Sequence, residues 1–309
     1  TNQAAIAEAG GIAPLVALLS NVHNKAAQDT AAGALCVLSG LPENRDAIAK
    51  AGGIPTLVAL FGAGSADAAA QAAPALEALA EGSSSNQKAI AYELVELLAG
   101  KKWSGFLSVA AKANAQEHAT RLLRDLAVDP TKRGAIADAG AVPQLVKQLR
   151  DGTEAGQGMA AGALSQIALQ STEHRSGVTQ ELVVLLGSKE EKVRRRASAA
   201  LRDTAAAGGS DGREMALIAF AGGIMPLFNL LRDGSVEAQE YALWSLSLAT
   251  EVTQKVAVAQ AGCVEPLITG LVSGKLSSSA QEHAAAVLLA LAGLAVPVQP
   301  PPPAVAPNS

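Results

Sequence analysis

Aromatic residues make up only 3% and charged residues only 17% of this 309-residue chain, although 49% of it is hydrophobic. With so few aromatic side chains, Ala and Leu must fill the core, and a core of that composition favours helices. A formal net charge of −4 offers no global attraction to phosphate backbones or anionic lipid. We therefore expect no nucleic acid as the main partner.

Cysteine and long apolar runs are also scarce. The only two cysteines, Cys36 and Cys263, fit no metal or redox spacing, and we interpret both as buried, reduced thiols in apolar helical patterns. The opening TNQAAIAEAGG has no signal-peptide pattern, and no apolar run reaches the roughly 18 residues of a membrane span. We expect a chain without a membrane span, in the cytoplasm, with an organellar or cytoskeletal assembly left open.

What the sequence does contain is an internal repeat. AGGIAPLVALL (9–19) returns as AGGIPTLVALF (51–61), AGAVPQLVKQL (139–149), AGGIMPLFNLL (221–231) and AGCVEPLITGL (261–271), with weaker copies at 91–98 and 179–186. Each full copy predicts a short first helix closed by glycine and a second helix with proline in its first turn. A longer, amphipathic third helix follows. The copies recur about every forty residues, which indicates an α-solenoid.

The Gly-Gly-Ile-x-Pro-Leu turn, the leucine-rich second helix and a third helix such as ALWSLSLA resemble the armadillo repeat, with the two-helix HEAT repeat as the alternative. The resemblance implies an all-α, right-handed superhelix of about seven repeats over residues 1–295, with partners bound along a groove lined by third helices. Residues 296–309 are Pro-rich and predict a disordered tail. The third helices are predicted near 24–40, 65–81, 113–127, 153–169, 189–206, 234–250 and 278–295, with an insertion at 100–112.

The pentapeptide AQEHA occurs at 115–119 and again at 280–284, and Glu beside His is a common start of a metal or acid/base site. In register, however, AQDTA (27–31) and AQEYA (238–242) occupy the same position of other repeats, so the segment is a repeat feature. His118 and His283 lie in repeats too far apart to converge on one metal. Since no nucleotide-binding, zinc-protease or hydrolase motif is present either, we expect no enzyme, no metal and no cofactor.

The third helices of the middle repeats carry the polar and aromatic side chains expected to face the groove. In importin-α-like members of the family, a Trp and an Asn recur at fixed third-helix positions; of these, only Trp244 is kept here. We predict a partner-binding groove, with the solvated surface of charged helices as the alternative. Its predicted residues are Glu117, Arg121, Asp125, Gln166, Arg195, Asp203, Glu240, Tyr241 and Trp244.

The sequence KEEKVRRRASAALRD (189–203) contains the one basic run. Its interpretation is either a solvated helix start or a contact for an acidic or phosphorylated partner segment.

Two further regions could contact partners. The insertion contains Trp103 and Phe106, which either cover the exposed core between repeats or touch a partner. The last third helix has no charged residue after Glu282, so we expect an apolar end surface of Val287, Leu288, Leu291 and Leu294. The Pro-rich tail, a second copy of the chain or another subunit would cover it.

Two functions follow from these patterns. The first is a non-enzymatic scaffold or adaptor that binds protein or peptide segments along the groove. The second is a structural subunit of a large assembly that contacts its neighbours through its ends and insertion.

Overall fold

The structure is a computed structural model, and it describes residues 2–21, 23–63, 66–101, 108–208, 213–249 and 252–294. These residues contain helices and no strand. They form two compact units, Thr1–Gln170 and Ser171–Ser309. Within the described residues no single helix has both the length and the apolar composition to cross a membrane, and two sharply bent helix pairs meet those criteria only jointly.

The first unit contains four repeats of the helical pattern. Its helices are α1 (Asn2–Glu8), α2 (Ile12–Leu19), α3 (Lys25–Leu38), α4 (Pro42–Lys50), α5 (Gly53–Ala63), α6 (Ala66–Ala80), α7 (Ser84–Leu98), α8 (Val109–Ala127), α9 (Pro130–Asp138), α10 (Ala141–Asp151) and α11 (Glu154–Ala168). The long third helices are α3, α6, α8 and α11; α3 packs against α6, and α8 packs against α11. Because α8 begins at Val109, residues 109–112 of the predicted insertion belong to this helix.

The second unit repeats the pattern. Its helices are α12 (Thr172–Leu186), α13 (Glu191–Gly208), α14 (Arg213–Phe220), α15 (Ile224–Asp233), α16 (Val236–Ser247), α17 (Val252–Gln260), α18 (Val264–Ser273) and α19 (Ser278–Ala292). Here α13, α16 and α19 are the long third helices, with α16 packed against both of the others. Fully buried leucines and alanines fill the core between the helices, as the composition predicts.

The two glycines of the repeat turn are needed for different reasons. Gly52 has a φ of +81°, a left-handed conformation that residues with a Cβ rarely adopt. Gly53 has ordinary backbone angles, but a Cβ there would lie 2.5 Å from Cγ2 of Ile48 in the preceding helix. The turn at Gly222 and Gly223 shows the same pair of constraints. The double glycine therefore brings the first and second helices into direct contact.

Two repeats lack this turn, and in both the first and second helices are fused. Helices α7 and α12 each run without a break for 15 residues. The sequence alone leaves short and fused first helices as alternatives, and the structure has the fused form. Without a left-handed glycine, the chain has no residue at which the helix would end.

In the first unit, side chains of α4, α7 and α9 hold the end of the preceding third helix. The Nδ2 of Asn44 donates a hydrogen bond to the carbonyl oxygen of Leu38 at 3.0 Å, and the Nδ2 of Asn86 donates to that of Leu79 at the same distance. Arg133 of α9 donates to the carbonyl at the end of α8, at 2.8 Å. These bonds satisfy carbonyl groups that have no partner within their own helix, and so they fix where each third helix ends.

Candidate functional site

The repeated AQEHA segment ties helices together. The Nε2 of Gln116 donates to the carbonyl oxygen of Leu98 at the end of α7, at 2.9 Å. In the second copy, the Nε2 of Gln281 donates to the carbonyl oxygen of Leu276, just before its own helix, at the same distance. Arg194 performs the same role in α13, where Nη1 donates to the carbonyl oxygens of Ser188 and Lys189 at 2.9 and 3.2 Å. One member of the basic run, Arg194, therefore binds the backbone just before its own helix.

The glutamate of the segment binds the start of the next third helix. Glu117 accepts a hydrogen bond at Oε2 from Oγ1 of Thr153, the N-cap residue of α11, at 2.7 Å. At the equivalent position of the second unit, Oε1 of Glu240 accepts from the backbone N–H of Ser277, the N-cap residue of α19, at 3.2 Å. Both glutamates were predicted to face a partner, but each already serves as an inter-repeat contact.

The two histidines of the segment also have structural partners. The ring of His118 lies 5.5 Å from that of Phe61, and its Nδ1 lies 3.4 Å from the carbonyl oxygen of the same residue. His283 lies between two hydroxyl groups, with Nδ1 3.2 Å from Oγ of Ser247 and Nε2 3.4 Å from Oγ of Ser279. Across the described part of the chain, no group of His, Cys, Asp and Glu is placed to hold a metal ion.

In the first unit, the other predicted groove residues divide by how firmly they are held. Gln166 accepts a hydrogen bond from Arg133 at 2.9 Å. Asp125 accepts two bonds from its neighbour Arg124, at 2.7 and 2.9 Å. Arg121 is half-exposed and approaches Oε1 of Glu117 only to 3.7 Å, a pair of the kind that contributes little to stability. Arg121 and Asp125 thus remain accessible, and both line the same cavity.

This cavity, called here the first-unit cavity, has a volume of about 240 Å³ and lies beside α5, α6 and α8. The cavity exists because the alanines of α6 have small side chains, and Phe61 and Leu122 form its sides. Polar groups stand among these apolar walls. The lining residues are Phe61, Ala69, Ala70, Ala73, Glu77, His118, Arg121, Leu122 and Asp125.

Glu77 is the lining residue that the sequence analysis missed. Burial raises the pKa of its carboxyl group, and the negative charge of Asp125 raises it further. Glu77 occupies the repeat position just before the family's Asn position, the same position as Arg124 and Arg202. Glu77 is the one acidic residue in this row of positions, so a comparison of the row along the chain could have identified it.

The second-unit cavity is smaller, about 90 Å³, and lies beside α13, α16 and α19. The guanidinium carbon of Arg202 stands 4.5 Å from the centre of the Tyr241 ring, a cation–π contact. Tyr241 and Trp244, both predicted groove residues, are half-buried and line this cavity. The lining residues are Arg202, Glu240, Tyr241, Trp244, Ser277, Ser279, Ala280 and His283.

The two remaining predicted groove residues, Arg195 and Asp203, do not line this cavity. Asp203 pairs with Arg202, with Oδ1 3.2 Å from Nη2. The pKa of Glu237 is lowered by hydrogen bonds from its own N–H and from Ser235, and in part by the positive charge of Arg195. Arg195 therefore lies near enough to the start of α16 for its charge to act on Glu237.

The predicted end surface needs correction. Val287 and Leu291 are buried, with 3% and 5% of their surfaces exposed, so they belong to the core of the second unit. Val287 and Leu291 lie on the side of α19 that packs against the rest of the unit, including α16. Leu288 on α19 and Leu294, just after it, are only half-buried. Leu289, which was not predicted, is 76% exposed. Trp103, Phe106 and the tail 296–309 lie outside the described residues, so their roles stay predictions.

Comparison with known proteins adds to this geometry. The Armadillo/beta-catenin-like repeat profile matches residues 129–169. No curated protein matches the sequence. An engineered protein of known crystal structure is 31% identical, with 94% of this chain and 70% of that chain covered and a TM-score of 0.56. A designed armadillo repeat protein is 25% identical, with 77% of this chain and 99% of that chain covered and a TM-score of 0.52.

Another designed armadillo repeat protein, solved in complex with the peptide (KR)4, is 24% identical over 77% of this chain and 99% of its own, with a TM-score of 0.54. The helical pattern, the glycine turns and these similarities agree. The fold is an all-α solenoid of armadillo-type repeats, and the chain belongs to the armadillo repeat family.

Proposed function

We propose that this chain is a non-enzymatic scaffold or adaptor that binds extended protein or peptide segments along its third helices. The armadillo fold commonly mediates protein binding, and one similar designed protein was solved with a bound peptide. The observation that carries the proposal is that each unit has a cavity beside its third helices, lined by polar and aromatic side chains. The proposal includes cytoplasmic location and protein rather than nucleic-acid partners.

Trp244 provides the sharpest test in the second unit. Peptides would be selected from a random displayed library on the intact chain, and their affinities measured by calorimetry. Since buried aromatic anchors contribute most to such interfaces, we expect Trp244→Ala to cost about 2 kcal/mol, or about a 30-fold rise in Kd, for peptides that bind this unit. Tyr92→Ala, which removes a 54% exposed aromatic ring outside both cavities, is the control and should leave affinity unchanged.

Failure to select any peptide, or equal affinity of every selected peptide for the Trp244→Ala variant, would contradict this proposal. Affinity purification with mass spectrometry would then name the partner that contains the selected segment. Catalytic activity would instead require a turnover that disappears when Glu117 or Glu282 is changed.

A structural subunit of a large assembly is the second candidate, and the surface of the second unit favours it. Five large apolar side chains there are more than half exposed: Val184, Phe220, Met225, Val272 and Leu289. Where such side chains adjoin one another in one patch, they often mark a protein interface. If this candidate holds, replacing Phe220 and Val272 by Ser should abolish co-sedimentation with the assembly while the peptide affinities stay unchanged.

A further inference from the structure

The two aromatic side chains of the second-unit cavity carry hydrogen-bond donors that are not used within the described part of the chain. No hydrogen bond there reaches the indole N–H of Trp244 or the hydroxyl of Tyr241. The acceptors around them already have partners: Oε1 of Glu240 accepts from the N–H of Ser277, and the ring nitrogens of His283 lie beside two serine hydroxyls. A ligand of this cavity should therefore offer flat apolar surface together with hydrogen-bond acceptors.

A polyproline segment has this chemistry. Each of its residues offers a carbonyl acceptor and no N–H, and its rings pack against flat aromatic side chains. The segment is already an extended polyproline II helix before it binds, so binding orders it at little cost in entropy. The ring of Tyr241 is also held from within the chain, because the guanidinium carbon of Arg202 lies 4.5 Å from its centre. The cavity thus presents a positioned aromatic surface of the kind that recognises proline.

The chain itself contains such a segment, because residues 300–303 read PPPP. They begin six residues after Leu294, where the described part of the second unit ends. From Leu294 back to His283, which lines the cavity, is eleven residues of the α19 region, or about 17 Å at about 1.5 Å per residue. Six residues of polyproline II span about 19 Å. A tail that turns back along α19 would therefore bring residues 300–303 level with the cavity.

The surface of α19 between these two points suits an apolar chain. His283, Ala286 and Ala290 follow one another at helical spacings of three and four, so they lie on one face of the helix. Leu289 borders this face and is 76% exposed. No charged residue follows Glu282 in α19. The valines that precede the four prolines could therefore cover exposed apolar surface on the way to the cavity.

We propose that the second-unit cavity binds a polyproline segment on Tyr241 and Trp244, and that residues 300–303 of the same chain occupy it. This inference rests on the proposed function, since this cavity is one of the two that would receive partner segments. The tail then acts as a tethered competitor, which a partner segment must displace. Because a short linker joins it to α19, its effective concentration at the cavity is on the order of 1 mM.

The experiment observes Trp244 in the full chain. Trp103→Phe leaves Trp244 as the only tryptophan, so its fluorescence and its indole N–H signal in NMR report on the cavity alone. The test variant replaces all four prolines: Pro300→Ala, Pro301→Ala, Pro302→Ala and Pro303→Ala. It should shift both signals, by an amount that does not depend on protein concentration. Pro307→Ala, which changes a proline beyond the segment, is the matched control and should leave both signals unchanged.

A peptide of residues 296–309, acetyl-VPVQPPPPAVAPNS-amide, is the probe added in trans. It should bind the four-alanine variant and return the Trp244 signals to those of the chain with its prolines. Calorimetry should give at least tenfold weaker binding to the chain that keeps its prolines, because its cavity is occupied. In the four-alanine variant, Tyr241→Ala should weaken binding of the peptide at least tenfold. Trp244→Phe, which keeps a ring without the indole N–H, should weaken it severalfold, and thermal unfolding checks that each variant folds.

Identical Trp244 signals with and without the four prolines, or equal affinity of the peptide for the two chains, would overturn the inference. A signal change that grows with protein concentration would also overturn it, because the segment would then come from a second copy. Failure of the proposed function looks different. If library-selected peptides bind but the tail peptide does not, only this inference is wrong. If the tail peptide binds while the library yields no segment for the four-alanine variant, the inference holds and the scaffold function is wrong.

Discussion

Both cavities lie beside third helices, yet they differ in whether their charged side chains have partners within the chain. In the second unit, Arg202 stacks on Tyr241, His283 lies between two serines, and Glu240 accepts from Ser277. In the first unit, Glu77 has no such partner among the described residues, and apolar walls surround it. The difference teaches that one repeat position can either join neighbouring helices or stay available, depending on whether a complementary group stands in the next repeat.

The cysteines, one in each unit, give the largest expected effect. Cys263 is buried, as the sequence predicts, and burial raises the pKa of its thiol to about 12. The same prediction is wrong for Cys36, which is only half-buried and lies near Glu77. Since the thiolate is the reacting form, we expect Cys36 to be alkylated at least about a hundredfold faster at pH 8. Quenched time points analysed by mass spectrometry would measure both rates.

The same measurement reports on the first-unit cavity. The pKa of Cys36 is raised first by burial and then by the negative charge of Glu77. Glu77→Gln should therefore speed the alkylation of Cys36 and leave Cys263 unchanged. Equal alkylation rates at the two cysteines would mean that the second unit opens readily enough to expose Cys263. The contrast between a buried Cys263 and an accessible Cys36 would then no longer hold.

The N-caps of α11 and α19 test the inter-repeat contacts at a smaller scale. Oγ1 of Thr153 accepts from the N–H of Gly156 and also donates to Glu117, whereas the hydroxyl of Ser277 only caps, because Glu240 binds the Ser277 backbone. Thr153→Ala should thus cost about 2 kcal/mol and Ser277→Ala about 1 kcal/mol. Urea unfolding would measure both.

Thr153→Ser retains both hydrogen bonds of the first-unit cap and serves as the control. It should unfold within a few tenths of a kcal/mol of the unchanged chain. If the two alanine variants lose equal stability, the bond from Thr153 to Glu117 adds nothing beyond the cap.

The smallest effect concerns the stability cost of Glu77 itself. Its folded-state pKa is raised above the ordinary value of 4.5, so the neutral form stabilises the fold below that pH and this contribution is lost as pH rises through the raised value. At pH 7, Glu77→Gln should therefore raise the melting temperature, by about 1 °C given the exposure of the group. At pH 4 the difference should vanish, and a gain that persists there would exclude charge as its cause.

The sequence predicts the family and the helical pattern because the residues that indicate them, such as the turn glycines, directly restrict the backbone. A left-handed Gly52 and a Gly53 without room for a Cβ leave few alternatives, and their absence before α7 and α12 is equally informative. Site residues are harder to predict. Whether Glu117 faces a ligand or binds Thr153 depends on the neighbouring repeat, and a pattern within one helix does not contain that information.

Two other errors have similar causes. Glu77 escapes prediction because it lies outside the family's Trp and Asn positions, and its importance comes from the residues that surround it. Val287 and Leu291 were assigned to an exposed surface because α19 is apolar on nearly every side, so its sequence does not indicate which side faces α16. Only the packed structure separates them from the 76% exposed Leu289.

The fused helix α7 has a consequence for how this gene can change over evolutionary time. Where a glycine turn separates the first and second helices, the rotation of one helix about its axis does not depend on that of the other. A residue gained or lost in the turn therefore leaves the buried face of each helix in place. Within α7, one extra residue would rotate everything after it by about 100°. Leu94 and Leu98, both fully buried, would then turn away from the core. Insertions and deletions in this chain should accumulate at the glycine turns and be removed by selection from α7 and α12.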